Sequence, residues 1–256
     1  MRYLGGKHVA GRHIVPFLVR HNADVVWDAC CGGLSIGKRL GDSGQAVLCS
    51  DVHPSLMAMY KAVASGWRPP TSMTEEDYKR CKALADGDPL KGFAGFGCAF
   101  GGIWFCGFAK DNTGRNYAAE SSRSVIAGVV SVQSSGGAFA HLDFLRCAPH
   151  DIGNTVLYLD PPYRGTASYS GVAPFDFGLF DRLVCEWAKI IPVYVSEYDL
   201  PYGRCVWEKQ QKSTVARDKS VRMRTEKLYR VGSVENATGR MTTRRLLASI
   251  RKHTRR

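Results

Sequence analysis

Val25-Val26-Trp27-Asp28-Ala29-Cys30-Cys31-Gly32-Gly33 passes from an apolar run, through an aspartate, into a glycine-bearing turn. A short apolar run bounded by turn formers reads as a buried strand. After it, Ser35 starts a short helix, and Ala46-Val47-Leu48-Cys49-Ser50 reads as a second strand ending at Asp51. His53-Pro54 opens another helix with Leu56, Met59 and Val63 as its apolar positions. Upstream, residues 8–20 form an amphipathic helix with Val9, Ile14, Phe17 and Leu18 available for burial. This β-α-β-α alternation is the pattern of a parallel sheet covered by helices, so the expected class is α/β and Rossmann-like.

From Gly66 the regularity weakens. Trp67-Arg68-Pro69-Pro70 is a breaker, residues 74–85 a capped helix, 92–109 a glycine-aromatic stretch and 115–130 a further helix closed by Ser134-Ser135-Gly136-Gly137. Sheet signals resume at His141-Leu142-Asp143-Phe144 and at Thr155-Val156-Leu157-Tyr158-Leu159. Residues 177–189 read as a helix and Ile191-Pro192-Val193-Tyr194-Val195 as a strand; 204–208 and 226–231 then form a hairpin around a basic loop. The expected organisation is one α/β domain, 1–64 and 138–256, interrupted by a largely helical insertion at 65–137.

The chain has 35 Lys+Arg against 23 Asp+Glu, a net charge of +12, which suits a polyanionic partner such as nucleic acid. Nine cysteines with no CxxC pair argue for a reducing compartment and against a metal site. Met1 to Lys7 lacks the apolar core of a signal peptide, and the stretch 92–109 is too short and glycine-rich for the ~20 residues of a membrane helix. A cytoplasmic protein is expected.

Two constellations carry chemistry. Asp28 to Gly33, followed after the next strand by Asp51, has glycines that let the backbone approach a ligand and an acid placed to take ribose hydroxyls. The dinucleotide fingerprint G-x-G-x-x-G is absent, whereas an acidic first turn suits a cationic, phosphate-free nucleoside such as S-adenosyl-L-methionine. Residues 32–38 also fit the first seven positions of a phosphate-binding loop. Arg39 stands where that loop needs a hydroxyl for Mg²⁺, which ranks a nucleoside triphosphatase below the first reading. The second constellation is Asp160-Pro161-Pro162-Tyr163, at the end of the strand that begins at Thr155. A carboxylate and a proline-fixed carbonyl can accept both N–H bonds of an exocyclic amine and localise its lone pair, while Tyr163 stacks on the base.

Asp160-Pro161-Pro162-Tyr163 resembles the catalytic motif of amino-methyltransferases acting on adenine N6 or cytosine N4. The order of motifs narrows the resemblance to the DNA adenine methylase (Dam-like) family. Tyr3-Leu4-Gly5-Gly6-Lys7 looks like its N-terminal motif, Asp28 to Gly33 fits its glycine motif in part, and Asp51 looks like its ribose acid. Asp143-Phe144 looks like the pair that contacts the donor's adenine. Gly97-Cys98-Ala99-Phe100-Gly101-Gly102 and Ser196-Glu197-Tyr198 are similar to phage-borne members. The resemblance implies a Rossmann-like methyltransferase sheet with an inserted target-recognition region at 65–137. It implies methyl transfer from S-adenosyl-L-methionine to adenine N6 of a flipped base in duplex DNA, with a cognate restriction endonuclease as a possible companion. By it, Tyr3, Lys7, Asp28, Ala29, Gly32, Asp51, Asp143 and Phe144 hold the donor, and Asp160, Pro161, Pro162 and Tyr163 act on the base. Cytosine-N4 or RNA adenine methylation, or a catalytically silent DNA-binding protein, remain the alternatives.

The basic residues fit this partner. Lys209, Lys212, Arg217, Lys219, Arg222, Arg224 and Lys227 crowd one stretch read as phosphate-contacting, and Lys110 and Arg115 lie in the insertion with Asn112 and Asn116 as base readers. Trp104, Phe105 and Phe108 are either core or a wedge for the gap left by an extruded base. Arg244, Arg245, Arg251, Lys252, Arg255 and Arg256 load a tail read as solvated and flexible.

Overall fold

In the computed structural model the described residues are 1–165, 173–213, 222–235 and 239–254, with backbone alone at 211–213 and 222–224. Seven strands build one sheet: β1 (Val25–Asp28), β2 (Val47–Asp51), β3 (Ala138–His141), β4 (Thr155–Leu159), β5 (Val193–Glu197), β6 (Arg204–Ser213) and β7 (Arg222–Val231). Their spatial order is β3-β2-β1-β4-β5-β7-β6. The first five run parallel, and β7 is antiparallel to both of its neighbours. The fold is therefore mixed α/β with a mostly parallel sheet, compatible with a Rossmann-like arrangement. The order reverses between β1 and β4, and the crevice beyond the carboxyl ends of strands at such a switch point is where ligands bind in open α/β sheets.

Both faces of the sheet are covered, which explains why its central strands are continuous apolar runs. Val26, Val47, Cys49, Val156 and Tyr158 point into one core with α1 (Gly11–Val19), α2 (Ser35–Asp42), α3 (Pro54–Ala64) and α6 (Tyr117–Ser134). Val25, Trp27, Leu48, Leu157 and Leu159 point into the other, with α7 (Phe177–Trp187) and α8 (Thr243–Lys252). Trp27 is fully buried there, edge-on to Trp187 at 5.7 Å.

Between β2 and β3 the chain forms α4 (Glu75–Lys82) and α5 (Pro89–Gly92), a π-helical turn at Phe93–Gly97, and α6. Thr74 and Asp77 close a capping box at the start of α4, and Asn116 caps α6. Residue α6 positions Val125, Val129 and Val132 are buried on the same core as α2 and α3, so this helix belongs to the covering layer of the sheet. Gly41 in α2 makes the close approach possible, because a Cβ there would strike the Ser131 backbone.

Three expectations are corrected. The strand expected at 141–144 lies upstream, at Ala138–His141, because the Asp143 carboxylate accepts the Leu145 N–H at 3.0 Å and caps a 3₁₀ turn at Phe144–Arg146. The hairpin is longer than expected. Lys209, Lys212, Arg222 and Arg224 lie within β6 and β7 rather than in a loop, with Lys209 facing Glu226 across the ladder. Arg217 and Lys219 lie outside the described residues. The basic tail is helical through Lys252: α8 buries Leu246 and Ile250 at the i, i+4 spacing while Arg244, Arg245, Arg251 and Lys252 face outward. Arg255 and Arg256 lie outside the described residues. Among the described residues no helix is long and apolar enough to cross a membrane.

Candidate active site

Asp160 leaves the end of β4 directly into Pro161 and Pro162, which fix the chain's direction out of the sheet. Tyr163 follows with its ring edge-on to Tyr198, 4.5 Å between centroids. Facing Asp160 is the N-terminal loop. Gly5 has φ of 77°, the Gly6 N–H donates to the Tyr3 carbonyl at 3.0 Å, and the Lys7 carbonyl accepts the Gly11 N–H at 2.7 Å as α1 begins. That loop delivers the Lys7 ammonium to 2.7 Å from Asp160 Oδ1, 3.3 Å from Glu226 Oε1 and 3.0 Å from the Gly5 carbonyl. The ammonium also lies 4.9 Å from the centre of the Tyr163 ring.

This cluster sits out of water, and its charges respond. Burial, helped by the nearby Glu226, raises Asp160 to about 6 against the pull of Lys7. Burial works to lower Lys7, but Asp160, Tyr158 and Glu226 together outweigh it, so the ammonium is held well above its ordinary value. One cation thus serves two carboxylates. Glu197, at the end of β5, is also buried and raised by that burial; it accepts the N–H of Tyr198 at 2.8 Å and of Arg164 at 3.2 Å.

Asp28 ends β1, beside Tyr158 in the register, and is 1% exposed. Neither of its carboxyl oxygens has a hydrogen bond among the described residues. Burial raises it well above the ordinary carboxylate range, with Asp160 and Asp51 adding to the shift; the Gly37 amide pulls the other way without reaching hydrogen-bond geometry. A buried carboxyl left unbonded is costly, and it marks a place where a donor or a cation is wanted.

The glycine turn beside it is held from three directions. Asp51 accepts the Gly32 N–H at 3.0 Å and the His53 N–H at 3.0 Å, and Tyr60 donates its hydroxyl to the Gly32 carbonyl at 2.7 Å. The Tyr3 ring lies on the turn: a Cβ on Gly32, whose φ is +43°, would come within 2.7 Å of it. Asp51 is buried and raised by that burial, with the two backbone N–H bonds opposing. Ala29 is buried, its N–H donating to the Tyr158 carbonyl at 3.1 Å, which couples this turn to β4.

The structure thus gathers Lys7, Asp28, Asp160 and Tyr163 at the β1–β4 switch point, with Tyr3, Gly32 and Asp51 in the adjoining turn. It does not bring Phe144 into that group. Phe144 is 4% exposed and packs edge-on to Trp27 at 6.0 Å and Phe180 at 5.8 Å, within the core of the second face. Asp143, half-buried, caps the turn that holds it.

The expected DNA contacts in 110–116 are exposed but mostly engaged. Lys110 pairs with Glu75 at 2.9 Å, Arg115 grips Glu120 through two bonds of 2.6 and 2.7 Å, and Asn116 spends its amide on the Ala119 N–H and the Thr71 carbonyl. Asn112 is exposed. Trp104, Phe105 and Phe108 pack against the core, and the exposed aromatic of that segment is Phe100, at 65%. Next to the loop at Asp160-Pro161-Pro162-Tyr163 lies an open cleft of about 740 Å³, with Arg164, Tyr198, Glu208, Lys209, Gln210 and Lys227 among its lining. Sequence reasoning missed Glu226; its one signal was an acid inside a strongly basic run.

No family model matches the chain, and no curated protein shows a significant match to it.

Proposed function

We propose that this chain transfers a methyl group from S-adenosyl-L-methionine to N6 of adenine in duplex DNA, the reaction its ordered motifs resemble. The observation that carries the reading is the pair of strand-end acids at the switch point: Asp28 buried with no hydrogen bond among the described residues, and Asp160 buried against Lys7. With Asp51 beside them, the crevice presents three buried carboxyls whose ionisation a cationic ligand favours and a phosphate-bearing one opposes, which suits a cationic cofactor. The donor, when bound, supplies an electrophilic methyl group on a sulfonium centre. Asp28 would meet its positive charge, and Asp51, already fixing the Gly32 turn, would present its remaining acceptor capacity to the ribose.

Asp160 and the Pro161 carbonyl would accept the two N–H bonds of the adenine amine. That localises a lone pair otherwise delocalised into the ring, and the remaining demand is in-line placement. The Tyr163 ring, set by Tyr198, offers a stacking face for the extruded base. Lys209 and Lys227, which line the cleft beside this motif, would take backbone phosphates.

Incubation with labelled donor and DNA of varied sequence, followed by digestion to nucleosides, tests the reading. N6-methyladenine is expected. Its absence on all DNA sequences overturns the proposal, and N4-methylcytosine in its place moves the target to cytosine.

A further inference from the structure

We propose that Glu226 is a positioning residue of this site: it keeps the Lys7 ammonium paired when Asp160 turns its carboxylate to the target amine. The inference rests on the role of Asp160 proposed above. A lysine ammonium carries three protons, and three acceptors surround Lys7: Asp160 at 2.7 Å, Glu226 at 3.3 Å and the Gly5 carbonyl at 3.0 Å. The Lys7 side chain is only 7% exposed, so water cannot replace an acceptor that leaves. An Asp160 that accepts an amine N–H must share or release Lys7. Without a second carboxylate, that would strand a buried cation, a change proteins resist strongly. Glu226, itself 12% exposed, supplies the second carboxylate from a different element. Its position is a product of topology: β7 enters the sheet antiparallel beside β5, placing Lys227 opposite Glu197 and Glu226 one residue beyond, at the mouth of the crevice.

The test is the titration of the Asp160 carboxyl, followed by carbon NMR in the free protein and assigned with Asp160→Asn. In that state Asp160 is faced by Lys7, Glu226, Tyr163, Tyr158, Asp28, Cys30 and Glu197. Glu226→Gln removes one negative neighbour and leaves Lys7 to Asp160 alone, so the Asp160 midpoint should fall by about one unit. Methyl transfer should slow by about ten- to a hundredfold in kcat while the KM for the donor stays within about twofold. Glu226→Asp, which keeps the charge but draws it back, should give intermediate values for both. An unmoved Asp160 midpoint in Glu226→Gln overturns the proposal, whatever happens to the rate. Should the glutamine variant fail to fold, Glu226→Asp carries the test, and an unmoved midpoint there overturns it equally. The titration needs neither DNA nor donor. A midpoint that moves in a protein transferring no methyl group therefore overturns the proposed reaction and leaves the lysine sharing standing.

Discussion

The Lys7 ammonium and the Asp160 carboxylate stand 2.7 Å apart with 7% and 17% of their side chains exposed, tying the first loop of the chain to the end of β4. Removing one member of a buried pair costs about 3–5 kcal/mol, because the other is left charged and unsolvated. Lys7→Met is therefore expected to destabilise the fold by about that amount. The double variant Lys7→Met/Asp160→Asn should recover part of the loss. Chemical denaturation of both variants checks this, and a double variant as unstable as the single one would count against a buried pair.

The same pair sets a pH dependence. Burial raises Asp160 to about 6 from an ordinary 3.8, while Lys7 stays protonated throughout the range. The acid accepts an amine N–H only when ionised, so kcat/KM should climb about tenfold per unit below about pH 6 and level off above it. The sign for stability is opposite. A carboxyl raised in the folded state stabilises most below pH 3.8, and that contribution is lost as pH rises through about 6. A rate profile flat from pH 5 to 8 would exclude Asp160 as the ionised acceptor.

How much of this was legible follows the burial. β1, β2, β4 and β5 read directly from sequence because both faces are covered, which makes Val25-Val26-Trp27 and Val156-Leu157-Tyr158-Leu159 apolar without a break. The outer part of the hairpin was not legible. β6 and β7 carry Lys209, Lys212, Arg222 and Arg224, and a basic run reads as loop unless the facing strand is known. β3 was displaced because Ala138-Phe139-Ala140-His141 has little β preference, whereas Leu142-Asp143-Phe144 alternates well but is bent by its own aspartate. Lys7 and Asp160 were each singled out from the sequence, and the structure brings them together. Their contact with Glu226 was not, since it depends on β7 entering between β5 and β6.

On the proposed function, Asp28 trades stability for donor binding. Its carboxyl is buried, has no hydrogen bond among the described residues, and is raised well above 3.8 by burial. Such a group stabilises the fold fully below pH 3.8 and loses that contribution as pH rises toward its folded value. Asp28→Asn removes the loss, so it should raise the melting temperature at pH 8 and make little difference near pH 4. Each kcal/mol gained corresponds to about 2–4 °C. The same variant should bind S-adenosyl-L-methionine at least tenfold more weakly by calorimetry. Parallel melting curves for the two proteins from pH 4 to pH 8 would contradict the assigned cause.

Lys209 and Lys227 share the cleft beside Asp160-Pro161-Pro162-Tyr163, and the phosphate-contacting role proposed for them does not depend on base identity. If each contacts one phosphate, replacing it with alanine should weaken binding about equally on all duplex sequences. It should also reduce the slope of log K against log salt by about 0.9 per residue. Arg115→Ala is the contrast, since that guanidinium is held on Glu120 by two bonds. It should leave the salt slope unchanged. Equal slopes for all three variants and the parent would remove the cleft from the DNA path.

Phe100 and Trp104 sit four residues apart and should behave in opposite ways. Trp104 packs against His53 at 4.2 Å, Phe105 at 4.7 Å and Phe96 at 4.8 Å, in a cluster joined to the main core. Phe100 is 65% exposed, on a loop whose N–H to the Gly107 carbonyl keeps it closed and whose Gly102 carbonyl holds the Leu4 N–H near the N-terminal loop. Truncating a packed tryptophan costs about 3 kcal/mol, whereas an exposed side chain contributes within about 0.5 kcal/mol. Trp104→Ala should therefore lower the denaturation midpoint clearly, and Phe100→Ala should not. If the chain extrudes a base as proposed, this exposed aromatic is free to fill the gap, so Phe100→Ala should reduce fluorescence of 2-aminopurine at the target position while leaving donor affinity unchanged. Full 2-aminopurine emission with Phe100→Ala would return the wedge to another residue, and equal destabilisation by both variants would mean that Phe100 is packed rather than free.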